Sequence, residues 1–284
     1  MHRWIAMGRV VADGARPRVM GIINATPDSF SDGGLATSLD DALARAEALI
    51  AEGADLLDIG GESSRPGAEP VPVAEELRRV LPIIEGLAGR VTVPISVDTT
   101  KPEVALMAIE AGAAIVNDIR ALDDPAMLDA VAGSDAGVVL MHMLGTPRTM
   151  QADPRYGDVV AEVLEALAAR VERAGRAGIA RERIAIDPGI GFGKTVEHNL
   201  SLLRNLGRFA SLGCAVLVGV SRKRFLGTLT GRDLAGRATA SAVASLAAIA
   251  RGADVVRVHD VGPMVDAVKV WAAIEGGDDS HARR

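Results

Sequence analysis

Three segments of the chain repeat one local pattern: Leu49-Ile50-Ala51-Glu52-Gly53-Ala54, Ala108-Ile109-Glu110-Ala111-Gly112-Ala113 and Ala248-Ile249-Ala250-Arg251-Gly252-Ala253. Each is a helical stretch that stops at glycine, which takes the left-handed conformation ending a helix without steric cost. A short apolar run follows at once. The alternation extends along the chain, with apolar runs at 19–24, 55–60, 92–98, 113–118, 137–142, 183–187, 214–219 and 254–259. Between and after them lie Ala/Leu/Glu/Arg-rich helical patterns near 39–52, 73–88, 102–111, 125–133, 157–177, 197–209, 237–250 and 262–274. Eight such units in about 250 residues predict an α/β fold, a (β/α)8 TIM barrel rather than an open sheet.

Composition agrees with that prediction. The chain is 49% hydrophobic but only 2% aromatic, and small or branched residues suit parallel strands covered by helices. No linker or low-complexity run divides it, so one domain is expected over residues 1–284, with a frayed polar tail at 276–284. The single cysteine, Cys214, excludes an intrachain disulfide and a cysteine-cluster zinc site. A net charge of −6 argues against general nucleic-acid binding. The N-terminus lacks the apolar stretch of a signal peptide and no run has membrane-spanning length, so a cytoplasmic protein without a membrane partner is expected.

The fifth residue after each of the three glycines is polar: Asp58, Asn117 and Arg257. These fall on the second, fourth and eighth predicted strands, and the sixth ends in Asp187. Alternate barrel strands contribute to the same interior layer, so the four side chains are expected around one axis. Singly, each only marks where its strand leaves the core; as a set of mixed charge they predict a shared site.

Nearly every other unusual segment follows a strand, where barrel enzymes build their active sites. Arg65, Arg120, Lys194, Arg222, Lys223, Arg224, Arg257 and His259 are expected to gather there and attract a compact anion such as phosphate or pyrophosphate. Phe30, Phe192 and Phe225 lie in the same segments and together favour a planar ligand. The glycine run at 189–195 has three residues between its first glycine and Gly193-Lys194, where a nucleotide P-loop has four. A loop permitting close backbone approach to a ligand is the better reading.

Read in order, the segments 21–34, 58–67, 96–99, 187–194, 221–223 and 257–260 resemble the dihydropteroate synthase family, and the resemblance runs from about residue 19 to 270. It implies condensation of (7,8-dihydropterin-6-yl)methyl diphosphate with 4-aminobenzoate, using Mg2+, and a homodimer. It implies that Asp98, Asn117, Asp187 and Lys223 recognise the pterin between walls formed by Ile119, Met141 and Phe192. Asn24, Ser64, Arg257 and His259 would hold the diphosphate, with Asn24 also the magnesium ligand. Phe30, Arg65, Pro66, Ser221 and Arg224 would form the 4-aminobenzoate site, and Asp32, Arg65 and Lys223 the catalytic set. Ser64 stands where many members have threonine, and Arg224 where some have serine. A methyltetrahydrofolate:corrinoid methyltransferase-like barrel would share the pterin acids but have no use for 257–259 with 221–223 as a diphosphate site. A noncatalytic pterin-binding paralogue is separated from the synthase only by assay.

Overall fold

The computed structural model describes residues 2–25, 39–65 and 67–275. A hairpin of β1 (Trp4–Ala6) and β2 (Arg9–Ala12) precedes the barrel. Eight parallel strands then close on themselves: β3 (Arg18–Asn24), β4 (Leu56–Gly60), β5 (Ile95–Asp98), β6 (Ile115–Asp118), β7 (Gly137–Met141), β8 (Ile184–Asp187), β9 (Ala215–Val218) and β10 (Val255–Val258). Around them lie α1 (Leu39–Ala51), α2 (Val73–Leu87), α3 (Pro102–Glu110), α4 (Pro125–Ala132), α5 (Val159–Arg176), α6 (Val196–Arg204), α7 (Arg224–Thr230), α8 (Ala238–Ile249) and α9 (Val261–Glu275). The predicted barrel is therefore the observed fold. Gly53, Gly112 and Gly252 have φ of 103°, 114° and 100°, as their helix-stopping role requires. No helix among the described residues is long and apolar enough to cross a membrane.

Several boundaries differ from the sequence reading. The run at 92–98 forms a strand only over its last four residues, 95–98. The helix expected over 197–209 ends at Arg204, and a 3-10 turn over Leu206–Leu212 follows, stopped by Gly213 at φ 69°. Segment 224–230, read as loop, is helix α7; Phe225 is buried there at 4% exposure within the main core and anchors the helix, while also bordering the candidate cavity.

Side chains alternate along a strand with period two, and this places the site. Met20, Leu56, Ile115, Val139, Ala185, Leu217 and Val255 point into the barrel and pack with Trp4, Ala6, Val11 and Ala12 of the hairpin, forming an apolar floor. Trp4 is fully buried, and its Nε1 donates to the Arg183 carbonyl at 3.1 Å. Two residues further along the same inward faces stand Ile22, Asp58, Asn117, Met141, Asp187, Gly219 and Arg257. The floor's spacing thus dictates the polar layer above it.

Candidate active site

The polar layer is a bonded network. Asp58, with no exposed surface, accepts on Oδ2 from Asn117 Nδ2 at 3.1 Å and from Arg257 Nε at 2.5 Å. Arg257 Nη2 donates to Asp98 Oδ2 at 2.8 Å. Three of the four residues predicted from alternate strands therefore meet, and Asp98 from β5 joins them. Asp187 sits apart: its Oδ1 accepts from the Gly189 amide at 2.7 Å, and it couples to Lys223, Lys194 and Arg257 through charge alone.

Burial sets the protonation behaviour of this layer. It pushes Asp98 up to about 7 against the pull of Arg257, with Asp58 adding to the rise. It pushes Asp187 up to about 6. Burial, then the charge of Arg257, lowers Lys223 to about 8. Arg257 itself is opposed by burial, but Asp58 and Asp98 outweigh this and raise its pKa.

The glycine-rich segment after β8 forms one wall. A Cβ on Gly189 would lie 1.9 Å from the His142 carbonyl oxygen, so only glycine permits this approach. The segment carries Phe192, whose ring lies 3.8 Å from Lys223 Nζ in a cation–π contact. Phe192 also packs with Ile119, Met141 and Met150. Lys194 is buried at 3% exposure and donates to the carbonyls of Phe192 and His142 at 2.9 and 3.3 Å. It therefore clamps the wall, while still lining the same cavity as Lys223 and Arg257.

At the opposite side Ser221 Oγ accepts from the His259 amide at 3.2 Å and lies 3.0 Å from His259 Nδ1. Burial, reinforced by Arg257 and Arg222, lowers His259 to about 3, so its ring is neutral at physiological pH. Arg222 forks onto Asp260, with Nε–Oδ2 at 3.1 Å and Nη2–Oδ1 at 2.5 Å. Arg120 faces away from the cluster: it pairs with Asp123 at 3.4 Å and lines a neighbouring cavity.

One cavity of about 810 Å3 is lined by Asn24, Ser64, Arg65, Asp98, Phe192, Ser221, Lys223, Arg224, Arg257 and His259. Ile119 and Met141 line the neighbouring cavity, while Asn117 and Asp187 are buried at 5% and 7% exposure. Phe30, Asp32 and Pro66 lie outside the described residues. The sequence reading missed Met150 and Gln151, from the segment after β7. Both line the cavity, and Gln151 Nε2 donates to the Gly191 carbonyl at 2.7 Å. Their only signal was position after a strand. It also missed Glu62, whose Oε2 receives bonds from Lys101 Nζ at 2.6 Å and from the Val71 amide at 2.7 Å, anchoring the segment that carries Ser64 and Arg65.

Comparison with known proteins gives this geometry its context. The pterin binding enzyme family matches residues 20–259. The dihydropteroate synthase of Escherichia coli (strain K12) is 48% identical over 261 residues, covering 92% of this chain and 93% of the relative. The structure of Xanthomonas albilineans dihydropteroate synthase with 4-aminobenzoic acid has 52% sequence identity and a TM-score of 0.91, covering 97% of this chain and 99% of that one. The same enzyme in complex with 7,8-dihydropteroate gives 49% identity and a TM-score of 0.88, covering 97% of this chain and all of the other. With the barrel, the acid–amide layer and this identity over nearly its whole length, the chain belongs to the pterin binding enzymes and, among them, to the dihydropteroate synthase family.

Proposed function

We infer that the chain is a transferase: it joins (7,8-dihydropterin-6-yl)methyl diphosphate to 4-aminobenzoate, forming 7,8-dihydropteroate and releasing diphosphate. One observation carries this reading. A single cavity combines buried acceptors, Asp98 with Asn117 and Asp58 beneath it, with hydrogen-bond donors at Arg257, His259 and Ser64. Homologous barrels hold 4-aminobenzoic acid and 7,8-dihydropteroate.

In this reading Asp98, Asn117 and Asp187 face the paired N–H donors and acceptors of the pterin edge, because a carboxylate accepts two bonds and an amide both donates and accepts. Lys223 donates from the other side, and Phe192, Met141 and Ile119 wall the ring. Neutral His259, its Nδ1 beside Ser221 Oγ, presents Nε2–H to a phosphate oxygen. Arg257 contributes its charge to the diphosphate end while bonded to both acids. Arg65, Ser221 and Arg224 are assigned to 4-aminobenzoate, with Phe30, Asp32 and Pro66 completing that part from outside the described residues. The C–O bond to diphosphate breaks, a C–N bond to the amine forms, and the amine loses a proton.

Magnesium is part of the same proposal. Among the described residues no cluster of three or more His, Cys, Asp or Glu side chains makes a protein cage for a metal. Asn24, which lines the cavity, offers one hard oxygen. That donor set fits Mg2+, which binds few protein oxygens, keeps waters and uses substrate phosphate. When bound, the ion would neutralise the charge of the departing diphosphate. The purified protein is expected to form 7,8-dihydropteroate with Mg2+ and to lose turnover in EDTA. No product, with the pterin diphosphate still bound in calorimetry, would instead favour a noncatalytic paralogue. A cytoplasmic location and a homodimer belong to the proposal too. Val243, Val270 and Ile274, 61–73% exposed on α8 and α9, support the dimer, and sedimentation tests it.

Pterin affinity is expected to rise with pH. The free protein holds Asp98 near 7 and Asp187 near 6. A ligand that donates hydrogen bonds to carboxylates binds their ionised forms, lowers their pKa and releases protons. Affinity is therefore full above about 7 and lost as pH falls through the two values, by up to about tenfold per pH unit for each group. Titrating a 6-hydroxymethyl pterin calorimetrically between pH 5.5 and 8, in buffers of different ionisation enthalpy, reads both effects; affinity that is flat or rises toward acid would refute the assignment.

A further inference from the structure

The turn after β9 carries strain at a position where glycine is the ordinary choice. The Lys223 amide donates to the Val220 carbonyl at 3.2 Å, closing a four-residue turn with Ser221 and Arg222 at its centre. Arg222 has φ +57°, in the left-handed region, at the third position of that turn. Turns of this form place glycine or asparagine there, because a Cβ costs a factor of roughly ten in population. The strain has a visible product: the two flanking residues both reach the cavity, Ser221 onto His259 and Lys223 over the Phe192 ring.

The backbone of Arg222 is held on both sides. Its amide donates to Ser241 Oγ at 2.8 Å, and its carbonyl accepts from Arg237 Nη1 at 3.2 Å. Its side chain meets Asp260 in the two-pronged geometry that only a carboxylate partner provides. Asp260 follows His259 directly and does not line the cavity. The fork therefore joins the strand end carrying Ser221 and Lys223 to the one carrying Arg257 and His259.

We propose that Asp260 is a positioning residue: by clamping Arg222 it keeps the turn in its left-handed form, and so aims Ser221 and Lys223 at the substrates. It acts through Arg222 and touches no ligand. The proposal deepens the synthase reading and rests on it for the identity of the ligands. The rival explanation is that Arg222, which also lines the cavity, serves by binding an anion directly.

Four variants of the full chain separate these: Arg222→Gly, Arg222→Ala, Asp260→Asn and the double Arg222→Gly, Asp260→Asn. Glycine adopts φ +57° freely, whereas alanine keeps the strain and loses the clamp. Arg222→Gly should therefore keep about tenfold higher pterin affinity than Arg222→Ala. Asp260→Asn should lower that affinity about tenfold in the Arg222 protein, and change it within about twofold in the Arg222→Gly background. Hydrogen exchange of the peptide spanning 220–224, measured without ligand, should accelerate in Arg222→Ala and Asp260→Asn and stay slower in Arg222→Gly. Equal losses for the glycine and alanine variants would overturn the proposal in favour of direct anion binding. So would an undiminished Asp260→Asn. If Asp260→Asn does not fold, the glycine–alanine pair still decides. If the unaltered protein shows no turnover, the synthase reading fails, while the order of exchange rates still judges the clamp.

Discussion

Arg257→Ala is expected to be the most damaging single substitution in the cavity, lowering Tm by roughly 10 °C and weakening pterin and diphosphate-bearing ligands together. The reason lies below the ligand. Arg257 binds Asp58, which has no exposed surface, and Asp98, whose side chain is 16% exposed. Removing one partner of a buried ion pair costs about 3–5 kcal/mol because the remaining charge has no compensation. Here the fully buried Asp58 loses its charged partner and Asp98 loses its hydrogen-bond donor. Asn117, bonded to the same Asp58 oxygen, loses the group that orients it. Differential scanning calorimetry and titration with a pterin and with pyrophosphate test this. An unchanged Tm with loss confined to pyrophosphate would show that Arg257 serves the diphosphate alone.

Asp98→Ala is expected to behave in the opposite way toward stability. Burial holds the Asp98 carboxyl up near 7, above its ordinary value, so its charged form is disfavoured in the free fold. The sign follows from linkage: a carboxyl with a raised folded-state pKa contributes stability that is full below its ordinary value and is lost as pH rises from there through the folded-state pKa. At pH 8 the alanine variant should melt no lower than the unaltered protein. Pterin affinity should nevertheless fall about a hundredfold, since charge-assisted hydrogen bonds from paired donors lose their acceptor. Calorimetric titration at pH 8 decides it, and near-normal affinity would remove Asp98 from the recognition set. The two substitutions touch opposite ends of one 2.8 Å hydrogen bond yet should move Tm differently.

How far the sequence disclosed this can be followed residue by residue. The barrel was legible because helix-stopping glycines and apolar runs are local signals, and the period of two carried Asp58, Asn117 and Arg257 to the same interior. What they do there was not legible. Asp98 and Arg257 are 159 residues apart, and each reads separately as a residue facing a ligand; only the closed sheet shows that they face each other. Lys194 read only as one of the anion-attracting cations, because its burial depends on the carbonyls of Phe192 and His142, which no local pattern announces. Helix α7 was hidden by its composition, since Gly227, Thr228 and Thr230 are weak helix formers and tertiary packing of Phe225 and Leu226 overrides them. The hairpin escaped for a similar reason. Its strands have only three and four residues, and its turn relies on Met7 and Gly8 at φ 48° and 70°.

That hairpin has a kinetic meaning. With Trp4 and its neighbours stoppering the lower end, the barrel is a cul-de-sac, and whatever reaches the acid–amide layer comes from the opposite end. Under the proposed assignment, the ligand on Asp98 and Asn117 would lie nearer that stopper than the one among Arg65, Ser221 and Arg224. Nine residues at the far end of the molecule from the chemistry thus leave traffic one way in and the same way out.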